Sequence, residues 1–237
     1  MGEKTMELQV LVLTALSIGF VHTLIGPDHY LPFILIGRAR KWSLKFTTLV
    51  TIICGIGHVL GSVVLGLVGV ALGVAVGALE QVEAVRGDLA SWLLIGVGVA
   101  YAIWGLRIGL RAGEHTHEHD HIDDHHQHSH HHLGSHAHVH GDVKSITPWA
   151  LFIVFVLGPC EPLIPILMYP AAKQSWGDLV WVTLAFGAIT ITTMTAIVVI
   201  MSKGLLKINF GFLERYVHAL AGIIIAISGL SIMVFGL

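Results

Sequence analysis

The sequence predicts an all-α, polytopic membrane protein with six transmembrane helices arranged as two inverted three-helix repeats. Three observations carry that prediction. The 237-residue chain is 54% hydrophobic and only 12% charged, with a mean hydropathy of +0.79; a soluble domain has about twice that charged fraction. Its apolar runs exceed the roughly 18 residues that mark a membrane-crossing helix. Two of the runs are interrupted by matching strings, Gly26-Pro27-Asp28-His29 and Gly158-Pro159-Cys160-Glu161.

Taken in order, the expected spans are 8–36, 46–77, 91–110, 148–170, 178–202 and 213–236. The first run follows Glu3, Lys4 and Glu7 and has no small-residue cleavage pattern, so it reads as a retained helix. It is interrupted at Gly26-Pro27, because proline removes a helix donor and clashes with the preceding turn. The second run is longer than a bilayer needs and should tilt or project. The fourth is interrupted at Gly158-Pro159. Trp42, Trp92, Trp149 and Trp176 fall near span ends, as an aromatic belt does.

Basic residues set the orientation. Ten of them (Arg38, Arg40, Lys41, Lys45, Arg107, Arg111, Lys144, Lys203, Lys207 and Arg215) lie on one side, against Lys4, Arg86 and Lys173 on the other. This bias places both termini outside and the central loop in the cytoplasm of a plasma or prokaryotic inner membrane. The chain divides into a first three-helix repeat (1–110), a histidine-rich loop (111–147) and a second three-helix repeat (148–237).

The halves match beyond the two Gly-Pro strings. With Gly26 laid on Gly158, Ile34-Leu35 falls on Ile166-Leu167, Ser43 on Ser175, Thr51 on Thr183 and Gly55 on Gly187. After a gap, Ala102-Ile103-Trp104-Gly105-Leu106 falls on Ala226-Ile227-Ser228-Gly229-Leu230. Three spans is an odd number, so the second repeat enters the membrane in the opposite sense. Proteins built this way place their site near the midplane, where the broken helices meet.

The central loop, residues 114–140, holds 13 of the chain's 17 histidines: His115, His117, His119, His121, His125, His126, His128, His130, His131, His132, His136, His138 and His140. Acidic residues interrupt them and no apolar periodicity supports a core, so the loop is expected to be disordered. Many flexible imidazoles form a multi-site metal buffer, since neutral imidazole suits Zn, Cu, Fe and Ni. A plain solvated or pH-responsive linker fits the same composition.

Inside the apolar spans the ionisable residues are few. A charge near the bilayer centre costs roughly 2.5–3.5 kcal/mol on insertion scales, so such residues are read as functional. The repeat alignment brings His22, Asp28, His29, His58, Cys160 and Glu161 toward one centre, and Thr190 and Thr193 are expected nearby as outer-layer groups. Imidazole and thiolate favour Ni, Co, Zn or Cu over the all-oxygen cations Mg and Ca. Cys54 lies one turn before His58 and reads as a packing residue; His218, near the start of the last span, reads as structural. Two cysteines in apolar spans make no disulfide scaffold. Near-neutral charge does not suggest a nucleic-acid partner. No Gly-x4-Gly-Lys-Ser/Thr string marks a nucleotide site.

His22-Thr23-Leu24-Ile25-Gly26-Pro27-Asp28-His29 resembles the His-x4-Asp-His signature of nickel/cobalt transporters in the lysine-exporter-like superfamily, with a spacing one residue longer. That resemblance implies movement of Ni²⁺ or Co²⁺, and the histidine-rich loop is also like that of the efflux members. Leu157-Gly158-Pro159-Cys160-Glu161-Pro162-Leu163 looks like the Ser-Pro-Cys-x-x-Pro-Leu region of the thiol-transfer membrane proteins of cytochrome c biogenesis. Those use one cysteine in each repeat, whereas Asp28 stands at the matching position here.

The leading expectation is therefore transport of a divalent transition metal, Ni²⁺ or Co²⁺ first and Zn²⁺ next. Protons are the expected counter-ion, export is weakly favoured, and no organic cofactor or enzymatic activity is expected. The alternatives are a membrane thiol–disulfide oxidoreductase using Cys54 and Cys160, or a metal-storing or sensing membrane protein without flux. The sequence does not set an oligomeric state.

Overall fold

Every long apolar run is helical. The computed structural model describes residues 2–73, 76–111, 143–160, 162–205 and 211–235, and these form α-helices and short 3-10 turns with no strand. Helix α1 (Gly2–Ile25) stops before Gly26, and a single 3-10 turn, Pro27–His29, leads into α2 (Leu31–Ala39). Helices α3 (Leu44–Ala71) and α4 (Val76–Arg111) follow. Helix α5 (Val143–Leu157) stops at Gly158, and α6 (Leu163–Ala172) begins beyond Pro162. Helix α7 (Trp176–Leu205), a 3-10 turn (Gly211–Tyr216) and α8 (Val217–Phe235) complete the described chain. The histidines of the central loop and Glu161 lie outside the described residues.

Among the described residues, five segments are long and apolar enough to cross a membrane: Thr5–Ile25, Leu44–Ala71, Val76–Arg111, Trp176–Leu205 and Glu214–Val234. The expected span 148–170, with its interruption, is two short apolar helices, α5 and α6, flanking Gly158-Pro159. The expected span 91–110 is only the second part of α4, which begins at Val76. Glu80, Glu83, Arg86 and Asp88 make that first part read as a polar connection. In the fold Glu83 and Arg86 are an i,i+3 ion pair turned inward, which is how a helix keeps opposite charges on one face. At 1.5 Å per residue the 36 residues of α4 reach about 54 Å, well past a hydrocarbon core of about 30 Å.

The connections show why the chain turns where it does. Both the α2–α3 and α6–α7 links carry one residue in the left-handed region, Lys41 and Gln174, each at φ 53°. Each link then ends on a serine. Ser43 Oγ accepts from Phe46 N at the start of α3, and Ser175 Oγ donates to Asp178 in the first turn of α7.

Helix α4 packs along α8, α1 along α7, and α5 along α3; α2 touches α7 and α8, while α6 touches α3 and α4. The α4–α8 seam is built from small residues, which let helices approach closely in lipid. A Cβ added at Gly98 would lie 2.7 Å from Gly222 O, and one at Gly222 would lie 2.5 Å from Gly98 O. Two apolar clusters fill the interior. One gathers Phe33, Cys54, Phe155 and Met194; the other gathers Val59, Cys160, Leu163 and Phe186. Leu13, Leu184 and Ile200 are more than half exposed on the outer surface, while Thr51, His58, Ser62, Glu83 and Thr190 are buried. That inversion of the soluble pattern is what a hydrocarbon solvent selects, because polar groups must be satisfied inside the protein.

Candidate functional site

The two helix interruptions meet at one place. His22 sits in the last turn of α1, and Asp28 and His29 occupy the 3-10 turn that follows. His29 Nδ1 lies 3.1 Å from Gly26 O and 3.2 Å from Asp28 Oδ1. A carbonyl oxygen can only accept, so Nδ1 carries the proton and Nε2 presents a lone pair. The same logic holds for His58 on α3, whose Nδ1 donates to Phe155 O at 3.2 Å. The Nε2 atoms of His22, His29 and His58 are all buried with no hydrogen-bond partner.

The three imidazoles form an edge-on row. His22 and His29 have centroids 4.7 Å apart, and His29 and His58 are 5.1 Å apart, each pair nearly perpendicular. Cys160, fully buried beyond the end of α5, closes the group. Its sulfur and one ring nitrogen each of His22 and His58 all lie within 4.8 Å of one another. A cavity of about 580 Å³ opens onto the histidines. Its wall includes Ser17, Val21, His22 and Ile25 of α1, Asp28 and His29, Gly87, Asp88 and Ser91 of α4, Pro159 and Pro162.

The backbone at the second interruption needs partners, because a helix end leaves its last carbonyls unbonded. Arg86 of α4 supplies them. Its guanidinium donates to Val156 O at 2.9 Å and Gly158 O at 3.4 Å, while it pairs with the fully buried Glu83. Arg86 also donates to Ser62 Oγ at 3.4 Å, and Ser62 Oγ accepts from Cys160 N at 3.2 Å. With His58 on Phe155 O, side chains from α3 and α4 therefore hold the α5 terminus and the start of the Cys160 segment.

Of the residues singled out in the sequence, His22, Asp28, His29 and His58 line the cavity, and Cys160 lies against His22 and His58. Glu161 lies outside the described residues. Thr190 and Thr193 are buried on α7 but are not part of the cavity wall; Thr190 faces Gly19 of α1. Cys54 packs with Phe33, Phe155 and Met194, and neither cysteine is disulfide-bonded. His218 is hydrogen-bonded to Tyr101 at 2.8 Å, away from the site. Sequence reasoning does not place Arg86 or Glu83 at the site, and Ser62 reads there only as a small residue, with Gly55, Gly57 and Gly61, that lets another backbone approach. Arg86 was counted as an external basic residue; its i,i+3 spacing from Glu83 beside an apolar run was the available signal.

The fold and pocket define a helical, polytopic membrane protein with a buried thiol among histidines at the meeting of two helix breaks. A family model described as the cytochrome c biogenesis protein transmembrane region matches residues 30–234, and the chain belongs to that family. Comparisons with curated proteins and with solved structures find no match.

This membership corrects two expectations. The resemblance to nickel/cobalt transporters does not hold, and with it falls the assignment of divalent transition-metal transport, Ni²⁺ or Co²⁺ first and Zn²⁺ next. The reason lies in the chain itself. The family match begins at Tyr30, so the His22–His29 string that carried the transporter likeness is outside it, whereas Cys54, His58 and Cys160 are inside. The extra residue in that string accompanies a structural break. Gly26-Pro27 ends α1, so His22 and Asp28-His29 sit on different elements and not on one continuous helix face.

Proposed function

We propose that this chain passes reducing equivalents within the membrane by thiol chemistry, with Cys160 as its working sulfur. The family supplies the class of process. The observation that carries the assignment is the placement of the Cys160 thiol within 4.8 Å of ring nitrogens of both His22 and His58. A thiol reacts as its thiolate, and an adjacent imidazole is the base that generates it. His58 is oriented for that task, because its Nδ1–H is held by Phe155 O and its Nε2 lone pair is left available.

The exchange runs in three displacements. The Cys160 thiolate attacks a disulfide that reaches the cavity, forming a mixed disulfide and releasing one thiolate, which takes up the proton held on the imidazole. A thiol of a dithiol reductant then attacks the substrate sulfur of the mixed disulfide and releases Cys160, and the reductant's second thiol displaces the substrate sulfur as a thiol and closes the reductant's own disulfide. Asp28 stands where the first repeat would carry a second sulfur, so one cysteine serves the pocket. Cys54 is a packing residue in this reading, surrounded by Phe33, Phe155 and Met194.

Two inverted three-helix repeats are part of the same proposal. Exchange of the halves turns α1 on α7 into α5 on α3, turns α2 on α7 into α6 on α3, and leaves α4 on α8 unchanged. That pattern supports a pseudo-two-fold axis through the pocket.

Proteoliposomes with a disulfide substrate on one side and a dithiol reductant on the other test the proposal. Cys160→Ser should abolish transfer and Cys54→Ser should leave it intact. Cys160→Ser with undiminished transfer would remove Cys160 from the reaction.

A further inference from the structure

The same three side chains have a second chemistry. We infer that His22, His58 and Cys160 are the protein ligands of a single thiophilic d-block cation of the Zn²⁺ or Cu⁺ kind. One thiolate with two neutral imidazoles is a donor set that selects these soft or borderline ions.

Three independent features of the site support it. The first is distance. The donor atoms lie within 4.8 Å of one another, whereas ligands on a tetrahedral zinc stand about 3.3–3.6 Å apart, given bonds of about 2.0–2.3 Å. Side-chain rotation of about an ångström closes the gap. The second is orientation. Metal-bound histidine generally donates its other ring N–H to a carbonyl or carboxylate, which fixes the tautomer and aims the lone pair. His58 does this through Phe155 O, and the neighbouring His29 does so through Gly26 O and Asp28. The third is an unmet requirement. His58 is 3% exposed, and its Nε2 is buried without a hydrogen-bond partner, as are those of His22 and His29. A buried polar atom left unpaired costs roughly 1–3 kcal/mol. A cation between His22, His58 and Cys160 removes that cost for the first two.

The backbone clamp supplies rigidity on the sulfur side. Ser62 holds Cys160 N, and Arg86 holds the carbonyls before it. Metal binding and thiol exchange then compete for one sulfur, so a bound ion masks Cys160. The metal site does not depend on the thiol-transfer reading, and its test does not measure transfer.

Cd²⁺ is the probe, because a cadmium–thiolate bond gives a near-ultraviolet charge-transfer band that imidazole alone does not. Residues 114–140 contain histidine but no cysteine, so Cd²⁺ held by that loop gives no thiolate band, and a chelator buffer that fixes free Cd²⁺ keeps the loop from distorting the titration. The expected result is a band that follows a single-site curve against free Cd²⁺, with the amplitude of one cadmium–thiolate bond per chain. Cys160→Ser should abolish it and Cys54→Ser should leave it unchanged. His22→Asn should weaken apparent affinity about tenfold or more; among the described residues the His22 side chain makes no hydrogen bond, only the edge-on contact with His29, so a His22→Asn protein with unchanged thermal unfolding separates ligation from folding. Zn²⁺ alone should slow maleimide labelling of Cys160 by a similar factor. A band that is missing, that follows Cys54, or that is indifferent to His22→Asn would overturn the assignment.

Discussion

The two Gly-Pro interruptions are alike in sequence and opposite in how they are held. At the first, the bonds are local. Gly26 N reaches His22 O, His29 N and Nδ1 both reach Gly26 O, and Tyr30 N reaches Pro27 O. One 3-10 turn satisfies its own backbone. At the second, Gly158 N reaches Val154 O and Leu163 N reaches Cys160 O, but the further partners come from far along the chain. Arg86 and His58 take the α5 carbonyls, and Ser62 takes Cys160 N. The contrast follows from the residues after Gly-Pro. Asp28 and His29 can bond their own turn; Cys160 has only a weak donor and leaves that work to α3 and α4. A locally closed break can shift as a unit, whereas a clamped break is immobilised by the body of the protein. The thiol is on the clamped side and two of the histidines are on the local side.

The largest expected effect breaks the clamp. Arg86→Ala removes the partner of the fully buried Glu83 together with the donors to Val156 O and Gly158 O. Breaking one half of a buried ion pair costs about 3–5 kcal/mol, enough to prevent recovery of folded protein. Arg86→Lys keeps the charge but cannot fork between Glu83 and two carbonyls, and should give an intermediate loss. Detergent-solubilised yield and thermal unfolding measure both. Ser62→Ala weakens the same clamp, because it removes the hydroxyl that accepts from Cys160 N, a bond worth about 0.5–1.5 kcal/mol. It should also speed alkylation of Cys160 by freeing the segment. An Arg86→Ala protein as stable as the wild type would show that the second break is held locally after all.

A paired substitution sharpens the comparison at smaller scale. A Cβ at Gly26 would lie 2.5 Å from His29 Nδ1 and 2.8 Å from Asp28 Oδ1, so Gly26→Ala forces both side chains to move. A Cβ at Gly158 would find Phe155 O at 3.3 Å and His58 Nδ1 at 3.4 Å, a tight but passable fit. Gly26→Ala should therefore cost about 1–3 kcal/mol and disturb the histidine row, whereas Gly158→Ala should stay within about 1 kcal/mol. Histidine side-chain NMR shifts on the two variants separate them. Equal perturbation would mean that the first turn is not closed on its own residues.

Much of this arrangement was legible in the sequence. Gly and Pro inside apolar runs marked both breaks, and the cost of Asp28, His29 and Glu161 in lipid pointed to a shared pocket, of which Glu161 lies outside the described residues. The repeat alignment placed Ser43 on Ser175, and both residues stand immediately before a long helix. What sequence reasoning could not supply was the clamp. Arg86 and Glu83 sit next to Glu80 and Asp88, and local polarity suggests water. Only the packing of α4 against α5 and α6 turns their face inward. The functional class was misjudged for a related reason. The histidine string is conspicuous because charged ligands are rare in apolar helices, and it outweighed the Leu157–Leu163 string, which resembles the thiol-transfer membrane proteins of cytochrome c biogenesis and lies inside the family match.

The smallest expected effect lies where the two halves touch at the surface. Lys173, just past α6, bonds Glu7 of α1 at 3.0 Å and sits 4.8 Å from the Tyr169 ring. Hydrogen bonding to Tyr169, and then to Glu7, raises the Lys173 pKa above its ordinary 10.5. A raised lysine pKa means the folded state holds the proton more tightly. The contribution is therefore complete below 10.5 and disappears as pH climbs through the raised value. Both side chains are about half exposed, so water and salt screen the pair. Glu7→Gln should lower the unfolding temperature only slightly at neutral pH and low salt, and the difference should vanish in high salt and as pH climbs past the raised Lys173 value. A large, salt-resistant loss would instead make this contact a principal tie between the first break's helix and the second's, and the two interruptions could not then move independently.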